Sequence, residues 1–401
     1  MKIGVFIGDA APESGGGYTF VHDVLEQLRR LAPGTSHRFT LVTTQKSTGR
    51  SGDLDVLSLQ PLVSNLRLRA RRKLAREVDR LLGKPMTPFL RPDRQVEQTF
   101  SEAGFDVIWQ MQPATWCTQD IPYITTVWDL QHRLQPFFPE VSSRGEFHYR
   151  DNIYAPLLQR AALVIAGTEV GSQEIQRFYG VAPERIRILP HPTPAFALEA
   201  RGDLARPTGA PPDPYLFYPA QFWPHKNHAN LLEALRLLRE RDGLPFSLAL
   251  SGSNKGNGTF VQETAARLGL ADAVKMLGFV SRDDLIGLYR HAVALCYVTF
   301  FGPENLPTLE AFALGCPVIA SAVAGAEEQL GDAALLVDPR KPDEIAAAVA
   351  RLYADSDLRA TLVKRGHSRA RRFTGEDFVR GVLAWLDEFA AIRRCWPSGP
   401  G

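Results

Sequence analysis

Residues Tyr297 to Ser321 read YVTFFGPENLPTLEAFALGCPVIAS, and this stretch indicates the class of fold. The stretch begins with an apolar, β-rich run, which is followed by a turn at Gly302-Pro303. Pro307 suits the first turn of a helix, and Gly315 suits the end of that helix just before a second apolar run. A strand, a helix and a second strand in this order predict a βαβ unit with parallel strands.

The same alternation of short β-rich runs with longer helical stretches continues along the chain in both directions. It is typical of parallel sheets that are covered by helices, and therefore predicts an α/β fold. The strands predicted in the first half are Lys2–Ile7, Phe39–Thr43, Val56–Leu59, Val107–Gln110, Tyr123–Val127, Leu163–Ala166 and Arg187–Leu189. Those predicted in the second half are Tyr215–Tyr218, Phe246–Leu250, Val274–Met276, Val293–Tyr297, Val318–Ala320 and Ala334–Val337.

A proline-rich segment divides the two series of strands. Seven prolines between Pro190 and Pro214 disfavour a regular helix or a central strand there. We therefore predict an N-terminal α/β domain over residues 1–190, a linker over 191–214 and a second α/β domain over 215–375. Three helical stretches follow the last strand, and we expect the final helix and tail, 376–401, to pack back towards the first domain. The three predicted helices are Pro342–Tyr353, Asp357–Phe373 and Gly375–Arg394.

Composition excludes several classes of protein. A chain of 401 residues with 45% hydrophobic residues is long enough for two to three cores. The 46 basic residues nearly balance the 44 acidic ones, which argues against a dedicated nucleic-acid binder. The 4 cysteines form no CxxC pair and predict free thiols in a reducing compartment. No apolar run reaches the ~18 residues of a membrane span, so we expect a cytoplasmic protein.

One segment departs from the balanced charge. Residues 67–84 contain eight basic residues and only two acidic ones, Glu77 and Asp79. The segment is consistent with a solvated basic helix face and also with a dock for anionic lipid. A peripheral contact with the inner face of a membrane is therefore one of two open interpretations of residues 67–84.

Two other segments have the composition of phosphate sites. Gly15, Gly16 and Gly17 stand between a predicted strand and a predicted helix, where glycines let the backbone approach an anion and the helix N-terminus attracts it. They match neither the dinucleotide nor the P-loop fingerprint, so a flexible turn is an equal interpretation. Lys226 directly precedes the helix that starts near Asn227, and its charge adds to that of the helix terminus. A departing diphosphate would need such a group.

Glu310 lies early in the helix of the opening stretch. A carboxylate there can accept two hydrogen bonds from a vicinal diol such as a ribose, while the amides around Asn305 and Leu306 would face an anion. A carboxylate favoured by the helix dipole is the alternative interpretation. His225 and His228 stand three residues apart, but no nearby cysteine or carboxylate completes a ligand set, so we predict no metal.

At these residues the chain resembles the family four retaining glycosyltransferases, which are of the GT-B type with two facing Rossmann-like domains. The likeness covers most of the chain, and GPENLP is typical of a subgroup with the pattern GPxNLPxLEA. The resemblance implies a nucleotide-sugar donor held mainly by the second domain, an acceptor brought in by the first, and no metal cofactor. It rests on the glycine loop and on RAALVIAGTEVGSQEIQRFYGVAPERIRILP from Arg160, YPAQFWPHKNHANLLEAL from Tyr218, LGFVSRDDLIGLYRHA from Leu277 and LPTLEAFALGCPVIASAVAGAEEQLGDAALLVDP from Leu306.

The resemblance also implies roles for single residues. Lys226 would contact the diphosphate, Glu310 the ribose, and Gly16 and Gly17 would close over the phosphates. Phe279 and Val280 would lie near the base. Further donor contacts are expected at Gln221, Gly252, Glu304, Asn305, Leu306 and Thr308. In the first domain, possible contacts with the sugar or the acceptor are Trp128, Asp129 and His132.

Three residues depart from the family pattern. Gly302 stands eight residues before Glu310, where the family has a sugar-binding glutamate, and Glu304 is a candidate replacement. Gln221 replaces an arginine that would contact the diphosphate. Trp128 replaces a histidine, which makes His132 our candidate for a catalytic contact with the sugar, with a packed loop histidine as the equal alternative.

The expected function is that of a retaining glycosyltransferase. It would move a hexose-type sugar from a nucleotide diphosphate sugar to a hydroxyl of a glycan or lipid-linked acceptor, without a metal. Three alternatives stay open: a nucleotide-sugar epimerase on the same fold, a donor-binding protein that has lost catalysis, and a GT-A transferase with a metal on Asp53 and Asp55.

Overall fold

The structure is a computed structural model, and it describes residues 1–8, 15–45, 49–59, 94–114, 116–202 and 204–397. The basic segment between Arg67 and Lys84 lies outside these residues, so the interpretations given above for it stay predictions.

The described residues form two compact units. One comprises those within 1–11, 21–190 and 376–401, and the other those within 12–20 and 191–375. Residues 15–20 thus group with the second unit, whereas the sequence placed them in the first domain. The segment over 191–214 also belongs to the second unit, where the guanidinium of Arg290 donates to the carbonyl of Ala200 at 3.1 Å. The predicted linker is therefore part of one unit.

The first unit is built on an eight-stranded sheet. Its strands lie in the order β3-β4-β2-β1-β5-β6-β7-β8, and every described pair is parallel except β3 with β4. The antiparallel β3 has two residues and was not predicted, because it is too short for a hydrophobic pattern. The strands are β1 (Lys2–Phe6), β2 (Arg38–Thr43), β3 (Arg50–Ser51), β4 (Leu54–Ser58), β5 (Val107–Gln110), β6 (Tyr123–Val127), β7 (Leu163–Ala166) and β8 (Ile186–Ile188).

The second unit is built on a six-stranded parallel sheet in the order β11-β10-β9-β12-β13-β14. This is a doubly wound order, in which the chain first builds outward from β9 and then returns to its other side at β12. The predicted strands are all present, with ends within two residues of the predicted ones. They are β9 (Tyr215–Pro219), β10 (Ser247–Ser251), β11 (Val274–Gly278), β12 (Ala294–Tyr297), β13 (Val318–Ser321) and β14 (Ala334–Val337).

Helices connect the strands in both units. The last three match the predicted positions closely, and α7 is a five-residue helix that begins directly after Pro194 in the segment where no regular helix was expected. The helices are α1 (Gly16–Leu31), α2 (Arg94–Glu102), α3 (Gln131–Leu134), α4 (Pro139–Ser142), α5 (Glu146–Arg160), α6 (Glu169–Tyr179), α7 (Ala195–Glu199), α8 (His228–Glu240), α9 (Gly258–Arg267), α10 (Arg282–His291), α11 (Leu306–Leu314), α12 (Ala326–Leu330), α13 (Pro342–Ala354), α14 (Ser356–Ala370) and α15 (Gly375–Arg393).

The C-terminal helix belongs to the first unit from Glu376 onward. The carboxylate of Asp387 lies 3.0 Å from the Nε2 of His37, and the guanidinium of Arg393 pairs with Asp106 at 3.2 Å. Among the helices described here, α15 included, no segment has both the length and the hydropathy that crossing a bilayer requires.

Central strands in both sheets are buried on both faces, which explains why they were predictable. All residues of β5, β6, β7, β12 and β13 are buried. A parallel strand covered by helices on both faces reads as a continuous apolar run, so its ends are sharp in the sequence.

Candidate active site

The second sheet reverses its strand order between β9 and β12. Open α/β sheets bind their ligands outside the carboxyl ends of the strands at such a reversal. Here β9 ends at Pro219 and β12 ends at Tyr297, so the segments that follow these two residues border the expected site. Lys226 lies in the segment after β9.

The ammonium of Lys226 lies at this reversal. Its Nζ donates a hydrogen bond of 3.1 Å to the hydroxyl of Tyr297, the last residue of β12. The Lys226 side chain is half-buried, and among the described residues no carboxylate forms an ion pair with it. An amino group held at a strand terminus without a protein counter-ion is suited to binding an anion.

The turn that carries Lys226 is fixed from several sides. The Tyr218 hydroxyl donates to the Lys226 carbonyl at 2.6 Å. Asn227, which has a φ of 59°, donates from its amide group to the carbonyls of Val298 at 2.8 Å and Pro339 at 2.7 Å. Asparagine tolerates the left-handed region better than most residues, so it suits this junction between the turn and α8.

His228 is a buried neutral imidazole beside this turn. The residue is 2% exposed, and its ring stacks on Phe222 with a centroid distance of 4.8 Å. Burial lowers the pKa of His228 to about 3, and the positive charge of Lys226 acts in the same direction. In the described part of the chain, neither this histidine nor any other residue belongs to a group of three or more metal-ligating side chains.

Glu310 lies in the second turn of α11 and is 7% exposed. The hydroxyl of the buried Tyr289 donates to its Oε2 at 2.6 Å. Burial raises the pKa of Tyr289 well above its ordinary value, and the charge of Glu310 contributes, so the hydroxyl keeps its proton as a donor. The carboxylate of Glu310 is therefore oriented by Tyr289, a residue that the sequence did not identify.

The backbone at the start of α11 differs from expectation at Asn305. Its N–H donates to the Oε1 of Gln329 at 2.9 Å, so it is not available to an anion as the sequence suggested. Thr308 is also occupied, since its hydroxyl donates to the Asn305 carbonyl at 2.7 Å. Leu306, the first residue of α11, makes no backbone N–H hydrogen bond to another described residue, and its amide is the one that can face an anion.

Glu304 does not take the place expected for a replacement of the missing glutamate. Its side chain is 4% exposed, and its Oε1 accepts a hydrogen bond of 2.6 Å from the backbone N–H of His191. Its Oε2 lies 3.5 Å from the Nδ1 of the same histidine. Both carboxylate oxygens face His191, so Glu304 fastens the loop before α11 to the start of the segment over 191–214.

Gly252 and Phe279 follow β10 and β11 at the same edge of the sheet. Gly252 has a φ of 144°, and its amide donates to the carbonyl of Gly278 at 2.8 Å. Phe279 directly follows β11 and is 63% exposed, while Val280 is half-buried. An exposed phenyl ring at the end of a strand is suited to stacking on a flat ligand such as a base.

The glycine loop lies beside two other predicted residues. A Cβ built on Gly15 would be 3.7 Å from the Nε2 of Gln221, and one on Gly16 would be 3.4 Å from a methyl group of Leu306. The Oε1 of Gln221 accepts a hydrogen bond from the indole of Trp223 at 2.9 Å. The structure thus places Gly15 beside Gln221 and Gly16 beside Leu306, with Gly17 next along the first turn of α1.

Two of the three predicted residues of the first unit are accessible. Trp128 and Asp129 are half-buried after the end of β6, and the Oδ1 of Asp129 accepts the backbone N–H of Gln131 at 3.0 Å. His132 is wholly buried, with its Nε2 3.0 Å from the hydroxyl of Tyr179 and its ring stacked on Tyr154. This position corrects the predicted sugar contact: His132 is a packed histidine.

The burial of His132 predicts a loss of stability in acid. Burial lowers the pKa of His132 to about 4, and Arg150 contributes, while Asp129 and Asp151 oppose the shift. An unfolded histidine titrates near 6.5, so below that pH the unfolded chain binds a proton that the folded chain does not. The stabilising effect of neutral His132 is present above about pH 6.5 and is lost as the pH falls towards 4. It amounts to about 3 kcal/mol.

Urea unfolding of the wild type and of His132→Gln at several pH values checks this. The free energy of unfolding of the wild type should fall more steeply between about pH 6.5 and 4 than that of the variant. Equal slopes would contradict the assignment, whatever the difference in stability at neutral pH.

Asp53 and Asp55, the candidates for a metal site of the GT-A type, lie on and beside β4 at the far end of the first sheet. Asp55 pairs with the guanidinium of Arg50 at 3.4 Å, and both aspartates are exposed. Within the described residues, neither aspartate belongs to a group of three or more side chains that could ligate a metal.

Two family models match the chain, one in each half. The model described as Glycosyltransferase Family 4 matches residues 14–195, and the model described as Glycosyl transferases group 1 matches residues 203–369. Together they cover most of both units.

Curated relatives share part of this similarity. The chain is 27% identical over 249 residues to the O-antigen chain mannosyltransferase B of Escherichia coli, a match that covers 60% of this chain and 64% of that protein. It is 30% identical over 253 residues to a D-inositol 3-phosphate glycosyltransferase of Salinispora arenicola, covering 59% of this chain and 56% of that one. The matched region therefore spans less than two thirds of the length of these relatives.

Solved structures show the same fold over nearly the whole chain. Anabaena Alr3699/HepE, solved in complex with UDP and glucose, superposes with a TM-score of 0.67 at 18% identity and covers 97% of this chain and 100% of its own. The predicted GT-B architecture, with parallel sheets in two α/β units and a C-terminal helix, is thus confirmed. With the two family matches, it places this chain in the GT-B glycosyltransferase superfamily.

Proposed function

We propose that the protein is a retaining glycosyltransferase of the GPxNLPxLEA subgroup. It moves a hexose-type sugar from a nucleotide diphosphate sugar to a hydroxyl of a glycan or lipid-linked acceptor, without a metal. The observation that carries this proposal is the position of the Lys226 ammonium, 3.1 Å from the Tyr297 hydroxyl at the reversal of the second sheet.

The chemistry follows from the groups at that edge. The bond between the anomeric carbon and the diphosphate oxygen breaks, and negative charge grows on the leaving group. Lys226 and the amide of Leu306 would stabilise that charge, and electrostatic stabilisation of this kind supplies most of the rate enhancement in many enzymes. The acceptor hydroxyl attacks from the face that the diphosphate leaves, and its proton passes to the departing phosphate oxygen. The protein then needs no acid or base of its own.

Glu310 and Phe279 would hold the nucleotide. The carboxylate of Glu310, oriented by Tyr289, can accept hydrogen bonds from the two ribose hydroxyls. Phe279 and Val280, which follow β11, would contact the base. Gly252, which follows β10, would let the nucleotide approach the backbone closely because it has no side chain. Gln221 in place of an arginine leaves Lys226 as the principal cation for the diphosphate.

The relatives support the choice of substrates. One is a mannosyltransferase that acts on an O-antigen chain, which favours a hexose and a surface glycan. A neighbour in fold was solved with UDP and glucose, which favours a nucleotide sugar as the donor. We further propose that the protein works in the cytoplasm and that the basic residues between Arg67 and Lys84 add a peripheral contact with the membrane.

Radiolabelled donors measure this function directly. With sugars carried on UDP, GDP, ADP and TDP, we expect label to pass from one of the four into a lipid-linked or soluble glycan. EDTA should leave at least about half of the rate, because the charge on the leaving group is met by Lys226 and backbone amides instead of a metal ion. The transferred sugar should keep its anomeric configuration, as nuclear magnetic resonance of the product would show.

Each alternative gives a different result when transfer of the label is compared with binding of the nucleotide. Tight binding of a nucleotide in calorimetry, without transfer to any acceptor, would indicate a lapsed enzyme. Release of nucleotide with a modified free sugar, in the absence of acceptor, would indicate an epimerase. Complete loss of transfer in EDTA would contradict the metal-independent mechanism.

A further inference from the structure

One face of α14 carries a row of basic and small residues. Each of them lies three or four residues from another member of the row, as residues on one face of a helix do, and the last is the residue that caps the helix. Together they line an open hollow of about 650 Å³. We call this row the α14 stripe. Its residues are Ala360, Val363, Lys364, His367, Ser368 and Arg371.

The other basic side chains of α14 are occupied in holding the helix. Arg359 donates to the carbonyl of Leu352 at 2.7 Å, Arg365 pairs with Asp332 at 3.2 Å, and Arg369 donates to a backbone carbonyl at 2.7 Å. Each of these cations already has an anionic or carbonyl partner within the protein.

The cations of the α14 stripe differ from these. Lys364 and Arg371 are exposed, and across the described ranges of the chain neither forms an ion pair with a carboxylate or a side-chain hydrogen bond. Arg371 lowers the pKa of the neighbouring His367 further than burial alone does, so the two side chains share one electrostatic environment. The charges of Lys364 and Arg371 are thus left without a protein partner among the described residues, whereas the other arginines of the helix are each held by a carboxylate or a backbone carbonyl.

We propose that the α14 stripe docks on a membrane surface that contains anionic phospholipid. From residue 360 to residue 371 a helix rises about 16 Å, so the stripe presents its cations along a straight line, as a plane of headgroups requires. The long stems of lysine and arginine can lie along the small side chains of Ala360 and Val363 while their charges reach outward. The stripe is open along its length, which suits a flat surface.

Other anionic partners fit the stripe less well. Protein partners are usually anchored by large aromatic side chains in a shaped pocket, and the stripe contains none. A free phosphate would be enclosed by converging donors, whereas Lys364 and Arg371 are separated by two helical turns. The partner that remains is a surface of many equivalent anionic headgroups, whose charge is complementary to that of the stripe.

Sedimentation of the full chain with vesicles tests this inference without any substrate, so its failure leaves the proposed function untouched. The probe is phosphatidylcholine with about 30 mol% phosphatidylglycerol, and pure phosphatidylcholine is the reference. The double variant Lys364→Glu with Arg371→Glu should weaken binding to the anionic vesicles by roughly tenfold or more. A matched control reverses two exposed cations elsewhere in the second unit, Arg267→Glu with Lys275→Glu, and should bind as the wild type does.

Salt dependence and competition by phosphate test the nature and the source of the anion, and thermal unfolding checks that the variant is folded. Binding of the wild type should fall as the salt concentration rises, because exposed charges are screened. Inorganic phosphate at constant ionic strength should compete no better than chloride; strong competition would assign the stripe to free phosphate and overturn the proposal. Equal thermal unfolding of the wild type and the α14 variant confirms that the variant is folded.

The contribution of residues 67–84 is separated by a third variant in which Arg69, Arg71, Arg72 and Lys73 are reversed. We expect this variant and the α14 variant each to weaken binding. If the α14 variant binds like the wild type, or like the Arg267 and Lys275 control, the proposal is wrong.

Discussion

Replacing Lys226 by alanine should lower kcat by a factor of 10² to 10³, which corresponds to about 3 to 4 kcal/mol of lost transition-state stabilisation. Its ammonium is the cation at the reversal of the second sheet, 3.1 Å from the Tyr297 hydroxyl. Charge on the diphosphate increases as the bond to the sugar breaks, so the lysine acts more strongly on the transition state than on the bound donor. The loss should therefore fall mainly on kcat, with a smaller effect on KM.

Two variants separate this role from a general effect of charge. Lys275→Ala removes an exposed lysine of the same unit and should leave kcat unchanged. Tyr297→Phe removes the hydroxyl that accepts from Lys226 and should reduce kcat less than Lys226→Ala does, because the ammonium stays in place. A Lys226→Ala variant that is folded and keeps more than about a tenth of wild-type kcat would contradict the mechanism.

The sequence was sufficient for the fold because its strands lie in the interior. The runs at Val107–Gln110, Tyr123–Val127 and Leu163–Ala166 are buried along their whole length and coincide with the observed strands. Glycine and proline fixed the helix ends around α11, where Gly315 has a left-handed φ of 77°. Such signals are local, so a single sequence contains them.

The supports of the candidate site were not predictable in the same way. Tyr289 is 21 residues from Glu310, Gln329 is 24 from Asn305, and Tyr297 is 71 from Lys226. Nothing in the spacing of these residues indicates that they meet, since the contacts arise only when the sheet and its helices are assembled. The sequence could therefore name candidate residues for contact with a ligand, but not the side chains that orient them.

Burial explains the two predictions that changed most. Whether His132 or Glu304 faces a ligand depends on the neighbours that cover it, and those come from other elements. His132 is enclosed by Tyr154 and Tyr179, and Glu304 is directed to the backbone of His191. A polar side chain near a strand end gives the same sequence pattern whether the folded protein places that side chain in a site or in a packed interior.

Gly252→Ala should destabilise the second unit by about 3 kcal/mol or more and abolish binding of the donor nucleotide. A Cβ at this position would lie 2.4 Å from the carbonyl oxygen of Ala220, and a φ of 144° is in a region that other residues rarely adopt. The obstacle is backbone that connects β9 to the turn carrying Lys226, so it cannot move aside like a flexible side chain. Relief of the clash would displace the ends of β9 and β10, and with β9 the segment that leads to Lys226.

Gly256→Ala is the matched control, because it separates the clash from the cost of the backbone angle. Gly256 lies four residues further along the same loop and has a φ of 103°, but a Cβ there would meet nothing within 4 Å. Alanine should cost about 1 to 2 kcal/mol at Gly256 through backbone strain alone, and nucleotide binding should persist. Urea unfolding and calorimetry with the nucleotide measure both effects. Equal losses at the two glycines would show that the approach of Gly252 to Ala220 is not what holds the edge of the sheet in the form that binds the donor.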